Sequence, residues 1–409
     1  MNILVLNVGS SSLKFRLFRI NALRPLSESE DVLAGGRIER IGSPEAQLTL
    51  RYGNSGTLQR RNTGAESVSE AAQEILQLIA ASSATDEQPF TVDAIGHRIV
   101  HGGSRFFEPV RVDDETLREL HELTELAPLH NPSGLAGVEA ARLVLPDVPN
   151  VAIFDTAFHH DLPPVAALYA LPRELSQRLQ LRRYGFHGIS YRYVSERLSA
   201  ILENSPQKQP LPNRMIACHL GSGASVCALL NGRSVDTSMG FTPLEGLIMG
   251  SRSGDIDPGL LLHLLRVGEF TLEQMESLLN RESGLKGLSG RSGDVRDLEK
   301  AAFEGDEASK LALECFAYRV RKTIGAYAAA LGGVDALVFT GGIGERSPVM
   351  RNRICQGLGF LGLSLEDERN GRANGEEPVV ISGSAGGGVW VVPTDEERQI
   401  AREVFGLLH

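Results

Sequence analysis

Two short stretches, Asn7-Val8-Gly9-Ser10-Ser11-Ser12-Leu13-Lys14 and Gly221-Ser222-Gly223, carry the parts of a phosphate-binding loop. Glycine lets the backbone approach a ligand closely, serine hydroxyls donate hydrogen bonds, and lysine supplies positive charge beside the turn. A third stretch, Gly341-Gly342-Ile343-Gly344-Glu345, follows the apolar run Ala336-Leu337-Val338-Phe339 and precedes Ser347-Pro348, where a helix is expected to begin. A strand, a glycine-rich turn and a helix N-terminus suit nucleotide binding. Each stretch alone could be a plain polar turn, but three in one chain point to a phosphate-bearing ligand. There is no G-x-x-x-x-G-K motif and no kinase G-x-G-x-x-G set, so the cradle is built by other means.

The charged candidates lie between these turns. Arg98 and Arg252 have glycines nearby (Gly102-Gly103 and Gly254), expected to leave room for a ligand at the backbone; their paired donors suit a carboxylate or a migrating phosphoryl group. Asp155 follows Ala152-Ile153-Phe154 at an expected strand end, where catalytic groups often project and where capping a turn is the alternative. His130 sits between Pro128 and Pro132, and His187 lies in an aromatic-glycine turn. Taken singly, either could be structural, the role assigned to His101, His121, His159 and His160. Glu396 falls in the first turn of the last helix, where Thr394 and Glu397 read as a capping box and acids favour the helix dipole whatever their function.

The elements that must position these groups come in two similar sets. Residues 3–7 form an apolar run suited to a buried strand, and a polar turn leads to a second strand near 13–20. The plan returns at 215–230, followed by Asn231-Gly232, a type I′ hairpin signal. Two such units suggest duplicated halves that each offer a loop of N–H groups. Leu313, Phe316, Val320, Ile324, Tyr327 and Leu331 recur at helical spacing and predict a packed helix. Asn131-Pro132 and Ser347-Pro348 read as N-caps followed by proline, and 203–212 as a surface linker.

A chain of 409 residues implies two or three domains, and 42% apolar with 22% charged residues places it among globular proteins. The net charge of −10 argues against nucleic acid as the main partner. Anionic substrates would need locally basic pockets. Cys218, Cys227, Cys315 and Cys355 are scattered without a C-x-x-C pair, so neither a disulfide framework nor a zinc site is expected. With neither an export signal nor a long uncharged apolar stretch, a cytoplasmic protein without membrane association is expected.

Ten ordered segments resemble the acetate kinase family: NVGSSSLKF (7–15), HRIVHGG (97–103), APLHNP (127–132), FDTAFH (154–159), YGFHG (184–188), HLGSGAS (219–225), DTSMGFTPLEG (236–246), RSGDIDPG (252–259), FTGGIGE (339–345) and PTDEE (393–397). The resemblance implies an α/β fold of two duplicated ribonuclease H-like lobes, as in actin-like ATPases, each with a mixed sheet flanked by helices and with the active site in the cleft between them. The expected lobes are 1–155 with 396–409, on the acid side, and 156–395, on the nucleotide side. The implied activity is reversible, direct in-line phosphoryl transfer from ATP to acetate, giving acetyl phosphate and ADP. Mg²⁺, or Mn²⁺ in its place, is the implied cofactor, and a homodimer the implied assembly.

Carried over by position, the resemblance implies that Asn7 and Glu396 hold the metal. Ser10, Ser12, Lys14, His219 to Gly223 (Leu220, Gly221 and Ser222 included), Asp294, Val295, Arg296 and Gly341 to Glu345 (Gly342, Ile343 and Gly344 included) would line the nucleotide site. Arg98, His130, Asp155, His187 and Arg252 would act on the acid and the phosphoryl group, and Val100, Leu129, Phe186 and Pro243 would shape a small apolar pocket. An ionised acid needs no general base, so the expected task is electrostatic: cations stabilise the charge spread over the phosphoryl oxygens. This chain departs from the family pattern at Ser222, usually Asn, and at Ile189 and Tyr191, usually Thr and His. Ser222 reaches less far than Asn, which bears on phosphate alignment. The rivals are propionate or butyrate as acceptor and, in a different class, an ATP-driven switch or chaperone-like binding protein.

Overall fold

The computed structural model describes residues 1–9, 11–21, 30–53, 56, 58–82, 91–205, 210–383 and 388–409. Ser10 and the centre of the expected linker, 206–209, lie outside the described residues. The chain divides into two compact units, Met1–Ala157 with Asp395–His409, and Phe158–Thr394.

In the first unit the apolar run near the N-terminus is strand β1 (Asn2–Val8), which turns through Gly9 and Ser12 into β2 (Ser12–Ile20), with the Gly9 N–H donating to the Ser12 carbonyl at 2.7 Å. The strands β3 (Glu30–Glu39), β4 (Gln47–Tyr52), β5 (Gln59–Asn62), β6 (Ala94–Ile99), β7 (Val110–Arg111) and β8 (Asn150–Phe154) complete a mixed sheet ordered β5-β4-β3-β2-β1-β6-β8-β7. β6 joins β1 in parallel and β8 joins β6 in parallel.

Alternation along β2 sorts the two faces: Leu13, Phe15 and Leu17 enter a core shared with Leu4, Leu6 and the helices Val68–Ser82 and Asn131–Val144. The other face carries Val5, Asn7, Gly96 and Arg98 and is covered by the C-terminal helix Glu396–Leu408. A Cβ on Gly96 would lie 2.7 Å from Ile400 Cγ2 and 2.8 Å from Val404 Cγ2, so glycine lets this helix seat directly on the sheet.

The second unit repeats the plan. Strands β9 (Arg214–Leu220), β10 (Ala224–Leu230), β11 (Arg233–Thr237), β12 (Ala336–Thr340), β13 (Val379–Val380) and β14 (Gly388–Val391) are ordered β11-β10-β9-β12-β14-β13. The antiparallel pairs β9/β10 and β10/β11 and the parallel pairs β9/β12 and β12/β14 match β1/β2, β2/β3, β1/β6 and β6/β8 of the first unit. Two independently built sheets with one strand order and one pattern of directions bear out the duplicated α/β lobes. Asn231 and Gly232 both take positive φ (51° and 77°), as the type I′ hairpin requires. The helix predicted from the 313–331 periodicity is Glu307–Leu331. The opposite face of the sheet is covered by Gly188–Glu203, whose Tyr191, Val194 and Leu198 pack with Met215, Cys227 and Leu229.

The helix start expected at Asn131 is capped differently. His130, and not Asn131, stands at the N-cap of Asn131–Val144. The fully buried Asn131 amide accepts from the His101 N–H (3.0 Å) and donates to its carbonyl (3.1 Å), so it is committed to the loop after β6 instead of to its own helix. At Ser347 the expectation holds: its hydroxyl accepts from the Met350 N–H.

Gly96→Ala should destabilise the first unit by about 1–3 kcal/mol through overpacking against Ile400 and Val404. Thermal melting followed by circular dichroism checks this, and adding Val404→Ala should recover part of the loss.

Candidate active site

Asn7, near the end of β1, meets Arg98, near the end of β6, because the parallel register sets Leu6 beside His97. The Arg98 Nη1 donates to Asn7 Oδ1 at 3.4 Å, and its Nε donates to both oxygens of Asp155 at 3.1 and 3.2 Å. Asp155 follows β8, where its own N–H donates to the Ile99 carbonyl. The carboxylate is 1% exposed and the guanidinium 18%. Burial opposes charge on Arg98, but Asp155, Glu396 and Glu397 outweigh it and hold the guanidinium protonated with its pKa raised.

The C-terminal helix completes this cluster. Asn7 Nδ2 donates to Glu396 (3.2 Å) and Glu397 (2.9 Å), joining residues almost a whole chain apart. The expected Thr394/Glu397 capping box does not form. Asp395 caps the helix by accepting from the Arg398 N–H, and the Glu397 carboxylate turns inward to Asn7. Glu397 was missed because a capping role explained it too readily. Arg16 on β2 also donates to Asp395, at 2.7 and 2.8 Å. Lys14, opposite Asn7 in register, lies exposed on the same sheet face, and Ser12 begins that strand. His130 heads its helix, and Leu129 and the buried Val100 lie in the same unit.

The donors around Asn7 fit a hard divalent cation, since amide and carboxylate oxygens are the groups such ions take. Among the described residues no group of three or more His, Cys, Asp or Glu could by itself hold a metal. An ion completed by phosphate and water, the usual habit of Mg²⁺, needs no such group.

In the second unit a cavity of about 550 Å³ gathers three of the predicted segments: Gly221 and Ser222, Asp294 to Arg296, and Gly342 with Ile343. Lys286, Arg346, Gly250 and Ser251 also line it and were not foreseen. Their clearest signal was Ser251 beside Arg252, and the Gly/Ser-rich context after Lys286. The Asp294 carboxylate caps the helix Val295–Phe303 and pairs with Arg296, whose hydrogen bond is the chief reason its pKa is lowered. Leu220 and Gly341 are absent from the lining because they pack on each other: a Cβ on Gly341 would lie 2.8 Å from the Leu220 carbonyl, and its φ is +74°.

The glycine-rich stretch at 341–345 is not an open turn. It forms the short helix Gly341–Arg346, held from below by Arg351, a fully buried arginine that donates to the Gly344 and Glu345 carbonyls, both at 2.9 Å, and to Asn370. The Glu345 side chain does not face the cavity. Its Oε1 accepts from the backbone N–H groups of Gly341 (2.9 Å) and Thr394 (3.0 Å). Burial raises the Glu345 pKa against the pull of those N–H groups.

Beside the cavity, Gly223 brings two predicted cationic groups together: a Cβ there would lie 3.4 Å from His187 Nε2 and 3.8 Å from Arg252 Nη1. His187 caps Gly188–Glu203 in the left-handed region (φ 58°, ψ 22°), unusual for a non-glycine residue, and its ring stacks on His219 at 4.2 Å. Its Nδ1 lies 2.8 Å from Ser225 Oγ, and His219 Nδ1 lies 2.8 Å from Ser190 Oγ. Arg252 Nη1 donates to the Pro243 carbonyl at 3.1 Å. Phe186 is buried, and its carbonyl accepts from His159, whose pKa burial lowers to about 4.

The glycines near the two arginines do not make room for a ligand. A Cβ on Gly102 would lie 2.2 Å from the Phe106 carbonyl, one on Gly103 would meet Leu123 Cδ2 at 2.8 Å, and one on Gly254 would lie 2.2 Å from the Leu247 carbonyl. They let the chain fold back on itself and so place the arginines indirectly.

Glu345→Ala should lower stability by about 1–3 kcal/mol by stranding the Gly341 and Thr394 N–H groups. Glu345→Gln should match or exceed the parent at neutral pH, since the amide oxygen still accepts. The sign follows from the raised pKa: the folded state binds this proton more tightly than the unfolded one, so the wild-type carboxyl loses stability as pH rises through its folded pKa. Denaturant titration of both variants at two pH values checks it.

A model of the acetokinase family matches residues 2–402. The curated acetate kinase of Thermotoga maritima is 46% identical over 406 residues, covering 98% of each chain. Among solved structures, the acetate kinase of Porphyromonas gingivalis aligns over 100% of both chains with a TM-score of 0.86 at 40% identity. The propionate kinase of Francisella tularensis subsp. tularensis aligns over 98% of both, also with a TM-score of 0.86, at 36% identity. The family match over residues 2–402 and the similarity along the whole length show that this chain belongs to the acetokinase family.

Proposed function

We propose that the chain is a Mg²⁺-dependent acetate kinase that transfers a phosphoryl group reversibly between ATP and acetate. The observation that carries this reading is the meeting of His187, Arg252 and the Gly223 turn beside a 550 Å³ cavity lined by Gly221, Ser222 and Gly342. A nucleotide seated in that cavity, with its phosphates over the Gly221–Gly223 turn, directs its terminal phosphoryl group at two side chains suited to spread negative charge. Arg98, kept protonated by its acidic neighbours, serves the carboxylate of the acceptor together with His130, and the buried Val100 with Leu129 bounds its methyl group.

The acceptor is already an anion at neutral pH, so the barrier lies in bringing two anions together. Arg252 and His187 lower that barrier by donating to the equatorial oxygens, and transfer runs in line without a phosphoenzyme. Asp155 orients Arg98 through their paired contact and abstracts no proton. Mg²⁺ held by Asn7 and Glu396, with Mn²⁺ as substitute, supplies charge neutralisation for the phosphates when bound. Lys14 and Ser12 serve the same phosphates. The enzyme works in the cytoplasm as a homodimer, as the family resemblance implies.

The likeness to a propionate kinase structure supports one rival, a larger acid acceptor. The buried Val100 favours acetate, but one methylene in an apolar pocket is worth only about 1–3 kcal/mol. Comparing kcat/KM for acetate, propionate and butyrate tests the choice: acetate should lead, and a clear preference for propionate reassigns the acceptor. ADP formation that does not depend on any acid would instead favour an ATP-driven switch. Arg252→Ala should lower kcat by about 10²–10³-fold with a folded protein. Near-normal turnover in that variant removes Arg252 from the mechanism.

A further inference from the structure

Tyr191, where the family usually has His, is completely buried in the second unit. Its ring meets those of His159 and His219 edge-on, with centroids 5.8 and 6.5 Å away. Its hydroxyl lies 2.6 Å from Ser225 Oγ, itself buried and 2.8 Å from His187 Nδ1. The three groups form a continuous hydrogen-bonded chain from the core to the ring beside Arg252.

The polarity of that chain follows from the donors available. Burial pushes the Tyr191 phenol well above its ordinary pKa, so it keeps its proton. Among the described residues the hydrogen-bond partner of the phenol is Ser225 Oγ. The phenol proton therefore goes to Ser225. A serine hydroxyl has one proton to give, and with Tyr191 donating to its oxygen that proton points at His187 Nδ1. A bare Nδ1 in the neutral ring leaves the imidazole proton on Nε2, the nitrogen turned toward Gly223 and Arg252.

We propose that Tyr191 is a positioning residue: acting through Ser225, it holds His187 in the Nε2–H tautomer, so that the ring offers a hydrogen-bond donor to the migrating phosphoryl group beside the Arg252 guanidinium. This rests on the reading that His187 serves the transfer. It gives the substitution at 191 a role, since the contact with Ser225 is made by the para hydroxyl, which a histidine lacks.

The test uses the full chain labelled with ¹⁵N-histidine. Long-range ¹H–¹⁵N spectra of the wild type should place the His187 proton on Nε2, and both Tyr191→Phe and Ser225→Ala should give mixed tautomers. In steady-state assays with ATP, Mg²⁺ and acetate, Tyr191→Phe should lower kcat about tenfold and leave the KM for ATP little changed, the expected cost of one lost buried hydrogen bond. The same change made in His187→Ala should have no further effect. An unchanged His187 tautomer in both variants overturns the proposal, as does a Tyr191→Phe loss that persists in full without His187. Wild-type turnover in His187→Ala with the tautomer shift intact supports the coupling and removes His187 from the transfer, so the two failures are told apart.

Discussion

A guanidinium placed under a sheet must find anions, and the first unit is arranged around that requirement. Arg98 projects from β6 on the face where Gly96 lets the C-terminal helix come close. The helix brings Glu396 and Glu397 to Asn7, while β8 ends in Asp155. Removing one member of so buried a pair typically costs about 3–5 kcal/mol, because the remaining charge is left uncompensated. The same contacts that hold Arg98 therefore order the groups that could hold a cation. Glu30 reinforces the arrangement from the side: its carboxylate, 2% exposed, binds Arg398 and Arg402 and so fixes the helix that presents Glu396.

The second unit handles polarity differently. Its cavity is lined by glycine and serine segments together with charged side chains such as Lys286, Arg296 and Arg346, and the short helix that contributes Gly342 is held by buried side chains outside the lining. Arg351 is charged yet fully buried; it donates to four carbonyls and to the Asn370 side-chain oxygen, and burial lowers its pKa to about 10. Glu345 works from the other end of the same short helix. Neither faces the ligand space, and both are needed for the backbone there to keep one shape.

Much of this was legible because the chemistry demands unusual residues in short runs. The turns at Gly9 to Ser12 and Gly221 to Gly223 stood out, as did the hairpin at Asn231-Gly232, whereas the glycine-rich stretch at 341–345, read as a turn, is a short helix. The errors share a cause. Gly102, Gly103 and Gly254 were read as space for a ligand, Asn131 as a helix cap and Glu345 as a lining residue. In each case the residue type was informative, but its partner was set by how the chain folds back: a neighbouring carbonyl for Gly102 and Gly254, the Leu123 side chain for Gly103, and backbone groups 30 and 49 residues away for Asn131 and Glu345. Glu397 was read as half of a capping box, a local role that masked its contact with Asn7, and Lys286 carried no signal beyond the Gly/Ser-rich stretch that follows it.

The sequence alone determined the two alternating strand-and-helix units, the glycine-rich turns and the identity of the cationic and acidic side chains, because strand alternation, helical spacing and turn chemistry are local properties. Only the tertiary structure decided which of those side chains meet. Strand register sets Arg98 beside Asn7, a missing Cβ at Gly96 sets the depth of the last helix, and burial sets the Tyr191 hydroxyl against Ser225 and Ser225 against His187. Such pairings depend on packing between segments as much as 390 residues apart, as Asn7 and Glu397 are, and no short-range pattern encodes them.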